Sequence, residues 1–468
     1  MHFIQLTPGA GRMYCGNCLR DNALVWALRE LGHQAMLAPL YLPLTLDESD
    51  QSRGAPIFLG GINVYLEQKF ALFRAAPGWL RRRLASPRLL RWAAGRAART
   101  RAEDLGELTL SMLRGEEGRQ AREVEDLTAW LRSQPKPEVM CRSNALLIGL
   151  ARRLKLDLGV PVVCMLQGED TFLDALPEPH RAACWQTLAQ RAADADLCVA
   201  PSRYFAERMR ERLGLPAERV RVVYNGIRLE GYGEREGSRS EGRRGSGEGR
   251  GSRVEGRGSR GEKGAGATEA EAGAAPVLGF FARMCREKGL DLLVEAYLLV
   301  RQGGRVKDLK LRVGGSCGPA DAPLVHWLGE RLRGAGVAGE VEFCPNVSRA
   351  EKCAFLQSLS VFSVPARYGE AFGLYVLEAL AAGVPVVQPR SGAFPELLEA
   401  TGGGVLCEPG DARSLAAALE SLLLAPGQAR ALGERGRKAV FENFNARKMA
   451  QGMIEVVEEL QRGRVERR

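Results

Sequence analysis

Residues 363–387 read SVPARYGEAFGLYVLEALAAGVPVV, and they carry the clearest secondary-structure pattern in the chain. Its apolar start predicts a strand that ends at Pro365. A loop containing glycine follows, and then comes Phe372–Ala382, which has the composition of a helix. Gly383 stands where a helix end favours glycine, and Val384–Gln388 predicts the next strand. A strand, a helix and a second strand in this order predict a parallel sheet covered by helices.

The loop in front of this helix is suited to a diphosphate or a polar sugar. A helix that starts near Phe372 directs free backbone N–H groups and the positive end of its dipole toward the loop. Gly369 and Gly373 would let the backbone approach a ligand closely. Glu378 lies two turns inside an otherwise apolar helix and therefore needs a partner, either the two hydroxyls of a ribose or a buried basic side chain.

The same alternation of strands and helices occurs on both sides of a low-complexity tract. Residues 1–232 predict one such domain, and residues 276–445 predict a second. Residues 233–275 consist mostly of Gly, Ser, Arg and Glu and have too few apolar side chains for a core, so they predict a disordered, flexible linker. Residues 446–468 predict a C-terminal helix that packs back on the N-terminal domain. The expected fold class is α/β, with two doubly wound, Rossmann-like domains that face a cleft.

The composition favours a cytoplasmic protein. Hydrophobic residues make up 45% of the chain, but no apolar run is long enough to span a membrane, and the first residues lack the basic region of an export signal. The eleven scattered cysteines suit reduced thiols. Cys15 and Cys18 form a C-x-x-C pair, for which a redox motif or a zinc site is the alternative to two ordinary cysteines at a helix start.

The stretch 363–387 closely resembles the signature of the family-four retaining glycosyltransferases, which have the GT-B fold. That signature has two glutamates eight positions apart, here Glu370 and Glu378, followed by Ala-x-Ala-x-Gly-x-Pro-Val. The resemblance implies that Glu370 faces the hydroxyls of the donor sugar as a catalytic residue and that Glu378 binds the ribose. It also implies that the backbone of four residues cradles the sugar and the phosphates: Ala371, Phe372, Gly373 and Leu374.

Other segments of the C-terminal domain follow the order of the same family. Residues 281–290 resemble its Arg and Lys-Gly element, which implies that Arg283 and Lys288 hold the donor diphosphate and act in catalysis. They would supply the positive charge that a metal ion supplies in other enzymes. The strand ends expected around the nucleotide base also resemble the family, and they add three donor-binding residues: Gly314, Asn346 and Val347.

The resemblance is looser in the N-terminal domain. Gly16 falls where the family often has a second glycine, in a loop opposite the donor phosphates. Gln167 stands at a strand end where the family often has histidine, so the polar contact and the acid–base assistance of this domain stay open. Glu169 and Asp170 follow directly, and they either serve in that role or cap a helix.

The net charge of +10 arises from one segment. Ten basic residues and no acidic residue lie within Lys69–Arg101, whereas a nucleic-acid-binding protein more often spreads its basic residues over a recognisable module. We therefore expect no nucleic-acid partner. The segment also contains Trp79 and Trp92, so it either touches the inner membrane face peripherally or forms a helical hairpin that is solvated or lines the acceptor site.

The resemblance implies an enzyme of the hexosyltransferase type. It would move a sugar from a nucleoside-diphosphate sugar to an unknown glycan, lipid or small-molecule acceptor, with retention of configuration and without a metal or other cofactor. Two alternatives stay open. One is an epimerase-like GT-B enzyme that acts on sugar nucleotides, and the other is a non-catalytic sugar-nucleotide-binding protein, which Gln167 would permit. Asp194-Ala195-Asp196 looks like a metal-binding motif of the other main glycosyltransferase architecture, but acids are usual at such a helix-to-strand junction.

Overall fold

The structure, a computed structural model, describes residues 1–9, 15–52, 55–58, 102–233 and 275–465. The basic segment 69–101 lies outside these ranges, as does nearly all of the predicted linker 233–275. The interpretations of those two segments therefore remain predictions.

The N-terminal half alternates strands and helices. Its strands are β1 (His2–Thr7), β2 (Gln34–Pro39), β3 (Val139–Arg142), β4 (Val162–Met165), β5 (Leu197–Ala200) and β6 (Val220–Val222). Its α-helices are α1 (Gly16–Glu30), α2 (Ala102–Arg114), α3 (Ala121–Ser133), α4 (Ala151–Leu158), α5 (Glu169–Asp174), α6 (His180–Ala192) and α7 (Arg203–Leu213). Short 3-10 turns cover Gly115–Glu117, Ala145–Leu150 and Ala217–Arg219.

The C-terminal half repeats the alternation. Its strands are β7 (Val277–Phe281), β8 (Lys310–Gly315), β9 (Val341–Pro345), β10 (Val361–Phe362), β11 (Val386–Pro389) and β12 (Gly404–Cys407). Its first helices are α8 (Leu290–Gly303), α9 (Ala322–Gly334), α10 (Arg349–Gln357) and α11 (Leu374–Ala381), with a 3-10 turn at Ala338–Glu340. The later helices are α12 (Phe394–Thr401), α13 (Ala412–Leu423), α14 (Pro426–Asn443) and α15 (Ala446–Val465).

The described strands form two parallel sheets of six strands each. Their orders are β2-β1-β3-β4-β5-β6 and β12-β11-β10-β7-β8-β9. The direction of winding reverses between β1 and β3 in the first sheet and between β7 and β10 in the second. Ligands of such sheets bind in the crevice at the carboxyl ends of the strands beside that reversal. The predicted class of two doubly wound α/β domains is confirmed.

The strands are apolar because helices cover both faces of each sheet. All four residues of β4 (Val-Val-Cys-Met) and of β5 (Leu-Cys-Val-Ala) are buried. A strand with one exposed face would alternate apolar and polar residues instead. The continuous apolar runs in the sequence therefore have a direct physical cause in the layered fold.

The last helix, α15, lies on the N-terminal domain although it follows the C-terminal domain in the chain. Its Met449, Met453 and Val457 are buried in one cluster with Leu24 and Leu28 of α1. Burial of one such apolar side chain contributes about 1.5–3 kcal/mol. The end of the described chain thereby links the two domains.

The C-terminal domain caps a helix of the N-terminal domain. The Glu396 carboxylate, on α12, accepts hydrogen bonds from the backbone N–H groups of Arg203 at 2.9 Å and Tyr204 at 3.1 Å, which open α7. Ser202, the residue before α7, donates its hydroxyl to the backbone oxygen of Ala371 at 2.8 Å. Free N–H groups at a helix start need acceptors, so this contact fixes the two domains against each other.

A second contact between the domains consists of two ion pairs. The loop after β2 supplies Asp47 and Glu48, and α10 supplies the bases. Asp47 lies 2.5 Å from the Lys352 ammonium, and Glu48 lies 2.7 Å from the Arg349 guanidinium. The two contacts leave a cleft between the domains.

The longest of the described helices, α15, has 20 residues and carries many charged side chains. Within the described ranges, no helix is both long enough and apolar enough to cross a bilayer.

Candidate functional site: a cleft between the two domains

The loop between β10 and α11 carries the signature, and it lies at the switch point of the C-terminal sheet. Helix α11 begins at Leu374, so the prediction that it starts at Phe372 was wrong by two residues. The reason is Gly373, whose φ of 94° lies in the left-handed region that favours glycine and interrupts the helix. Phe372 is therefore a loop residue, and its buried ring packs near Tyr224 of the N-terminal half.

Glu370 receives three hydrogen bonds on one oxygen. Its Oε2 accepts from Lys288 Nζ at 2.6 Å, from the Tyr375 hydroxyl at 2.8 Å and from the Tyr368 hydroxyl at 3.2 Å. Within the described part of the chain, this pattern leaves Oε1 for a ligand. Burial alone would raise the pKa of Glu370, but the Lys288 ammonium outweighs it and holds that pKa below its usual value. The carboxylate is therefore ionised at neutral pH.

Lys288 is held in place by both charge and packing. Burial tends to lower the pKa of its ammonium, but the Glu370 carboxylate outweighs burial and raises that pKa above its usual value. The ammonium also lies 5.0 and 5.1 Å from the ring centres of Tyr368 and Tyr375. The next residue, Gly289, packs so closely that a Cβ would lie 2.0 Å from the backbone oxygen of Pro365. Because Gly289 has no side chain, the segment that carries Lys288 can pack against the loop after β10.

Arg283 lines the cleft with a carboxylate partner of its own. Its Nε lies 3.1 Å and its Nη2 2.9 Å from Oδ1 of Asp321, and its side chain is 56% exposed. Arg286, three positions later, instead pairs with Asp291 at 3.0 Å and stacks on Trp327. Arg286 is absent from the described lining of the cleft.

Glu378 has the basic partner that the sequence left as an alternative. The Lys352 ammonium lies 2.6 Å from Glu378 Oε1 and 2.5 Å from Asp47 Oδ2. The Glu378 side chain is nevertheless 16% exposed and lines the cleft, so an ion pair and a ligand contact are compatible. Lys352 and Asp47 were missed from the sequence, because each stands in a stretch that reads as ordinary polar surface.

Main-chain geometry shapes most of the end of the cleft that was expected to hold the nucleotide base. Asn346 adopts a φ of 57°, and its side-chain amide bonds the backbone N–H and oxygen of Cys317 at 3.2 and 3.3 Å, which braces the preceding loop. Asn346 and Val347 line the described cleft, but Gly314 does not, and Gly315 takes its place. A Cβ on Gly314 would lie 2.5 Å from the ring of Phe281, so this glycine makes room for a ring that does line the cleft.

On the N-terminal side, Gly16 and Gln167 both line the cleft. The Gln167 side-chain oxygen accepts hydrogen bonds from Arg20 at 2.8 Å and from Asn225 at 3.2 Å. Arg20 is 1% exposed and pairs with Asp21 at 2.7 Å. No local pattern marks Arg20 as a site residue, because its contact with Gln167 joins two elements that are far apart in the chain.

Glu169 and Asp170 lie outside the described lining, and both have structural partners. Glu169 accepts hydrogen bonds from the backbone N–H groups of Ala145 at 2.9 Å and Gln167 at 2.5 Å. Asp170 pairs with Arg208 at 2.5 Å. Both side chains are at least 95% buried, Glu169 against the start of the 3-10 turn Ala145–Leu150 and Asp170 against the Arg208 guanidinium. Among the signature residues, Ala371 and Phe372 are likewise buried, and Gly373 and Leu374 line the cleft.

The cleft has a volume of about 260 Å³. Along it, the Glu370–Lys288 pair and Arg283 lie on the C-terminal side together with Glu378 and Asn346. Carboxylates can accept hydrogen bonds from sugar hydroxyls, and fixed cations can neutralise phosphate. The arrangement is therefore suited to a ligand that carries both sugar hydroxyls and phosphate groups.

The acidic motif at 194–196 is engaged in ion pairs. Asp194 lies 3.4 Å from both Arg191 and Arg152, and Asp196 lies 2.8 Å from Lys155. Among the described residues, no three His, Cys, Asp or Glu side chains cluster closely enough to hold a metal ion. All eleven cysteines, including Cys15 and Cys18, are free thiols.

Two family models match the chain. The model of glycosyltransferase family 4 matches residues 92–230, and the model of glycosyl transferases group 1 matches residues 267–439. Together they cover more than half of the chain, one in each domain.

Curated relatives are similar over shorter spans. A GDP-mannose-dependent alpha-(1-6)-phosphatidylinositol monomannoside mannosyltransferase of Mycolicibacterium smegmatis is 30% identical over 40% of this chain and 48% of its own length. A D-inositol 3-phosphate glycosyltransferase of Corynebacterium diphtheriae is 33% identical over 31% of this chain and 34% of its own length. The chain thus spans about half or less of the length of these relatives.

Solved structures share the fold over nearly the whole chain. Sucrose-phosphate synthase from Thermosynechococcus elongatus has a TM-score of 0.67 at 16% identity and covers 99% of this chain and 100% of its own. Anabaena HepE in complex with UDP has a TM-score of 0.64 at 16% identity and covers 98% of this chain and 100% of its own. The two family models, the fold and the paired glutamates agree, and the chain belongs to the GT-B glycosyltransferases of the family-four type.

Proposed function

We propose that this chain is a glycosyltransferase that moves a hexose from a nucleoside-diphosphate sugar to an acceptor hydroxyl, with retention of configuration. The observation that carries the proposal is the position of Glu370. It is an ionised carboxylate in the cleft, with one oxygen fixed by Lys288 and two tyrosines and the other oxygen unoccupied by any described residue. Such a group can accept hydrogen bonds from sugar hydroxyls and position the anomeric carbon.

The cations beside Glu370 fit the leaving group. In the transfer, the bond between the anomeric carbon and the diphosphate oxygen breaks, and a bond forms to the acceptor oxygen. The proton of the acceptor hydroxyl passes to the departing diphosphate or to solvent, and the diphosphate oxygen gains negative charge as its bond to the sugar breaks. Lys288 and Arg283 would stabilise that charge, so we propose that no metal ion or other cofactor is needed. Both have carboxylate partners, Glu370 and Asp321, that orient them without blocking the cleft.

The N-terminal side of the cleft would receive the acceptor. Gly16 supplies backbone without a side chain, and a Cβ on it would lie 3.8 Å from Leu374 across the cleft. Gln167 is neutral and already bonded to Arg20 and Asn225, so it would orient an acceptor rather than remove its proton. The acceptor is a glycan, a lipid or a small molecule. The free thiols favour a cytoplasmic location, with peripheral membrane contact through residues 69–101 remaining a prediction.

Two assays test this proposal. A thermal-shift screen of UDP- and GDP-sugars should find one donor that stabilises the protein, since ligand at about 100 times its dissociation constant adds about 2.7 kcal/mol. Release of nucleoside diphosphate from that donor, with EDTA present and with candidate acceptors added, should then be abolished by Glu370→Gln. Epimerised donor without transfer would favour the epimerase alternative. Donor binding without any turnover would favour a binding protein.

A further inference from the structure

A three-residue charge cluster joins the two domains inside the cleft: Asp47, Lys352 and Glu378. The Lys352 ammonium lies 2.5 Å from Asp47 Oδ2 and 2.6 Å from Glu378 Oε1. The side chains of Asp47 and Lys352 are 4% and 6% exposed. One buried cation is thus shared between a carboxylate of each domain.

Because these groups are buried, each charge in the cluster depends on its oppositely charged partners. Burial tends to lower the pKa of Lys352, but the Glu378 and Asp47 carboxylates outweigh it, and the pKa is raised. The ammonium therefore stays charged and needs both carboxylates. Asp47 depends on the contact as well, because its other oxygen, Oδ1, is buried without a hydrogen-bond partner among the described residues. A carboxylate in that position is stabilised mainly by Lys352 of the opposite domain.

The cluster controls where Glu378 points. Lys352 occupies Glu378 Oε1, while the Glu378 side chain stays partly exposed to the cleft that Asp47 and Lys352 also line. The orientation of Glu378 toward a ligand therefore depends on Lys352. The position of Lys352 depends in turn on Asp47.

We propose that Lys352 is a positioning residue for the donor ribose, and that Asp47 acts through Lys352 to make the N-terminal domain part of the donor site. Binding of the ribose and contact between the domains are then coupled. This inference rests on the proposed function, since it takes the ligand of Glu378 to be the ribose of a nucleoside-diphosphate sugar.

The neighbouring ion pair provides a matched control. Glu48 follows Asp47 directly and pairs with Arg349 of the same helix at 2.7 Å. Its side chain is 7% exposed, comparable to that of Asp47, but no described contact joins it to Glu378. Loss of Glu48 should weaken the contact between the domains without disturbing the orientation of Glu378.

The experiment measures binding of UDP, GDP and inorganic pyrophosphate by calorimetry to wild type, Asp47→Asn, Glu48→Gln, Glu378→Gln and the double variant Asp47→Asn/Glu378→Gln. Asp47→Asn should weaken the preferred nucleoside diphosphate about tenfold, and Glu48→Gln should weaken it about twofold or less. Pyrophosphate lacks ribose and should bind both variants as it binds wild type. In the Glu378→Gln background, Asp47→Asn should add less than about a twofold further loss, because residues in one network are not additive.

A lysine variant separates positioning from folding. Lys352→Arg keeps the charge and should retain most of the affinity, whereas Lys352→Met should lose it, with KM for the donor rising more than kcat falls. Equal losses in Asp47→Asn and Glu48→Gln, or fully additive losses in the double variant, would overturn the inference and leave only a general contact between domains. If wild type bound neither UDP, GDP nor any of their sugars, the proposed function itself would fail.

Discussion

Lys288 and Glu370 form an ion pair at 2.6 Å although they are 82 residues apart in the chain. The pair joins the element expected to hold the diphosphate to the loop expected to hold the sugar. The two side chains are only 19% and 14% exposed, so the removal of one would leave the other as a poorly solvated charge. Single substitutions at these positions therefore affect both stability and catalysis, whereas the double variant leaves no unpaired charge and isolates the contribution of the pair to stability.

The pH dependence of stability tests this pair. The pKa of Glu370 is lowered, so its contribution is present above the unfolded value of about 4.3 and is lost as the pH falls through the folded pKa. The pKa of Lys288 is raised, so its contribution is complete below about 10.4 and is lost as the pH rises through the folded pKa. The Tm difference between wild type and Lys288→Met/Glu370→Gln should therefore stay flat from about pH 6 to 9 and change below about 4.3. A steady change between pH 6 and 9 would contradict the assignment.

Arg283 and Arg286 should behave differently although they are three residues apart. Arg283→Ala removes a cleft-lining cation and should lower nucleoside-diphosphate affinity and turnover by about a hundredfold. Arg286→Ala removes a cation that stacks on Trp327 outside the described lining, and the expected loss is within about threefold. Calorimetry and steady-state kinetics on both variants would measure the contrast, and equal losses would argue against a diphosphate contact by Arg283.

Glu396 should stabilise the association of the two domains through its cap on α7. Glu396→Ala removes the acceptor for the N–H groups of Arg203 and Tyr204 and should lower stability by about 1–2 kcal/mol, the usual range for a lost helix cap. Glu399→Ala is the control, because Glu399 is 80% exposed and lies 4.0 Å from Arg203 at the surface. Thermal melts of the two variants should differ clearly. A Tm of Glu396→Ala equal to that of Glu399→Ala would show that the cap contributes little.

The fold was predictable because it follows from local patterns. Strands β5 (Leu197–Ala200) and β7 (Val277–Phe281) are continuous apolar runs of the kind that a local pattern reveals. The ion pair inside α1 was not predictable in the same way. Arg20 and Asp21 have the sequence of ordinary polar residues, yet both are buried in the helix and bonded to each other. Buried polar networks of this kind depend on tertiary partners that no local pattern contains.

The site was predictable to the extent that its residues belong to one motif. Glu370 and Glu378 were found from their spacing, and both line the cleft. Lys352 and Asp47 were not predicted. Lys352 lies on a helix whose sequence has a polar appearance, and Asp47 lies in a loop of the opposite domain. Gly314 and Gly315 are adjacent at a strand end, and only tertiary packing distinguishes them: a Cβ on Gly314 would meet the Phe281 ring, and one on Gly315 would meet the backbone of Ala282. The contacts between the two domains could not be predicted from the sequence alone.

Glu378 should act both as an ion-pair partner and as a ligand contact, and one substitution tests the two roles together. Glu378→Gln keeps the shape of the side chain but removes the charge that balances Lys352, so the Tm should fall. The same change should weaken binding of the nucleoside diphosphate by about 1–3 kcal/mol, the scale of a charge-assisted hydrogen bond.

Both quantities, the Tm and the affinity, should be measured on one preparation, with affinity expressed per folded molecule. A lower Tm with unaltered affinity would remove Glu378 from the donor site and leave it a structural partner of Lys352. Lower affinity with an unchanged Tm would mean instead that Asp47 alone suffices to hold the buried lysine.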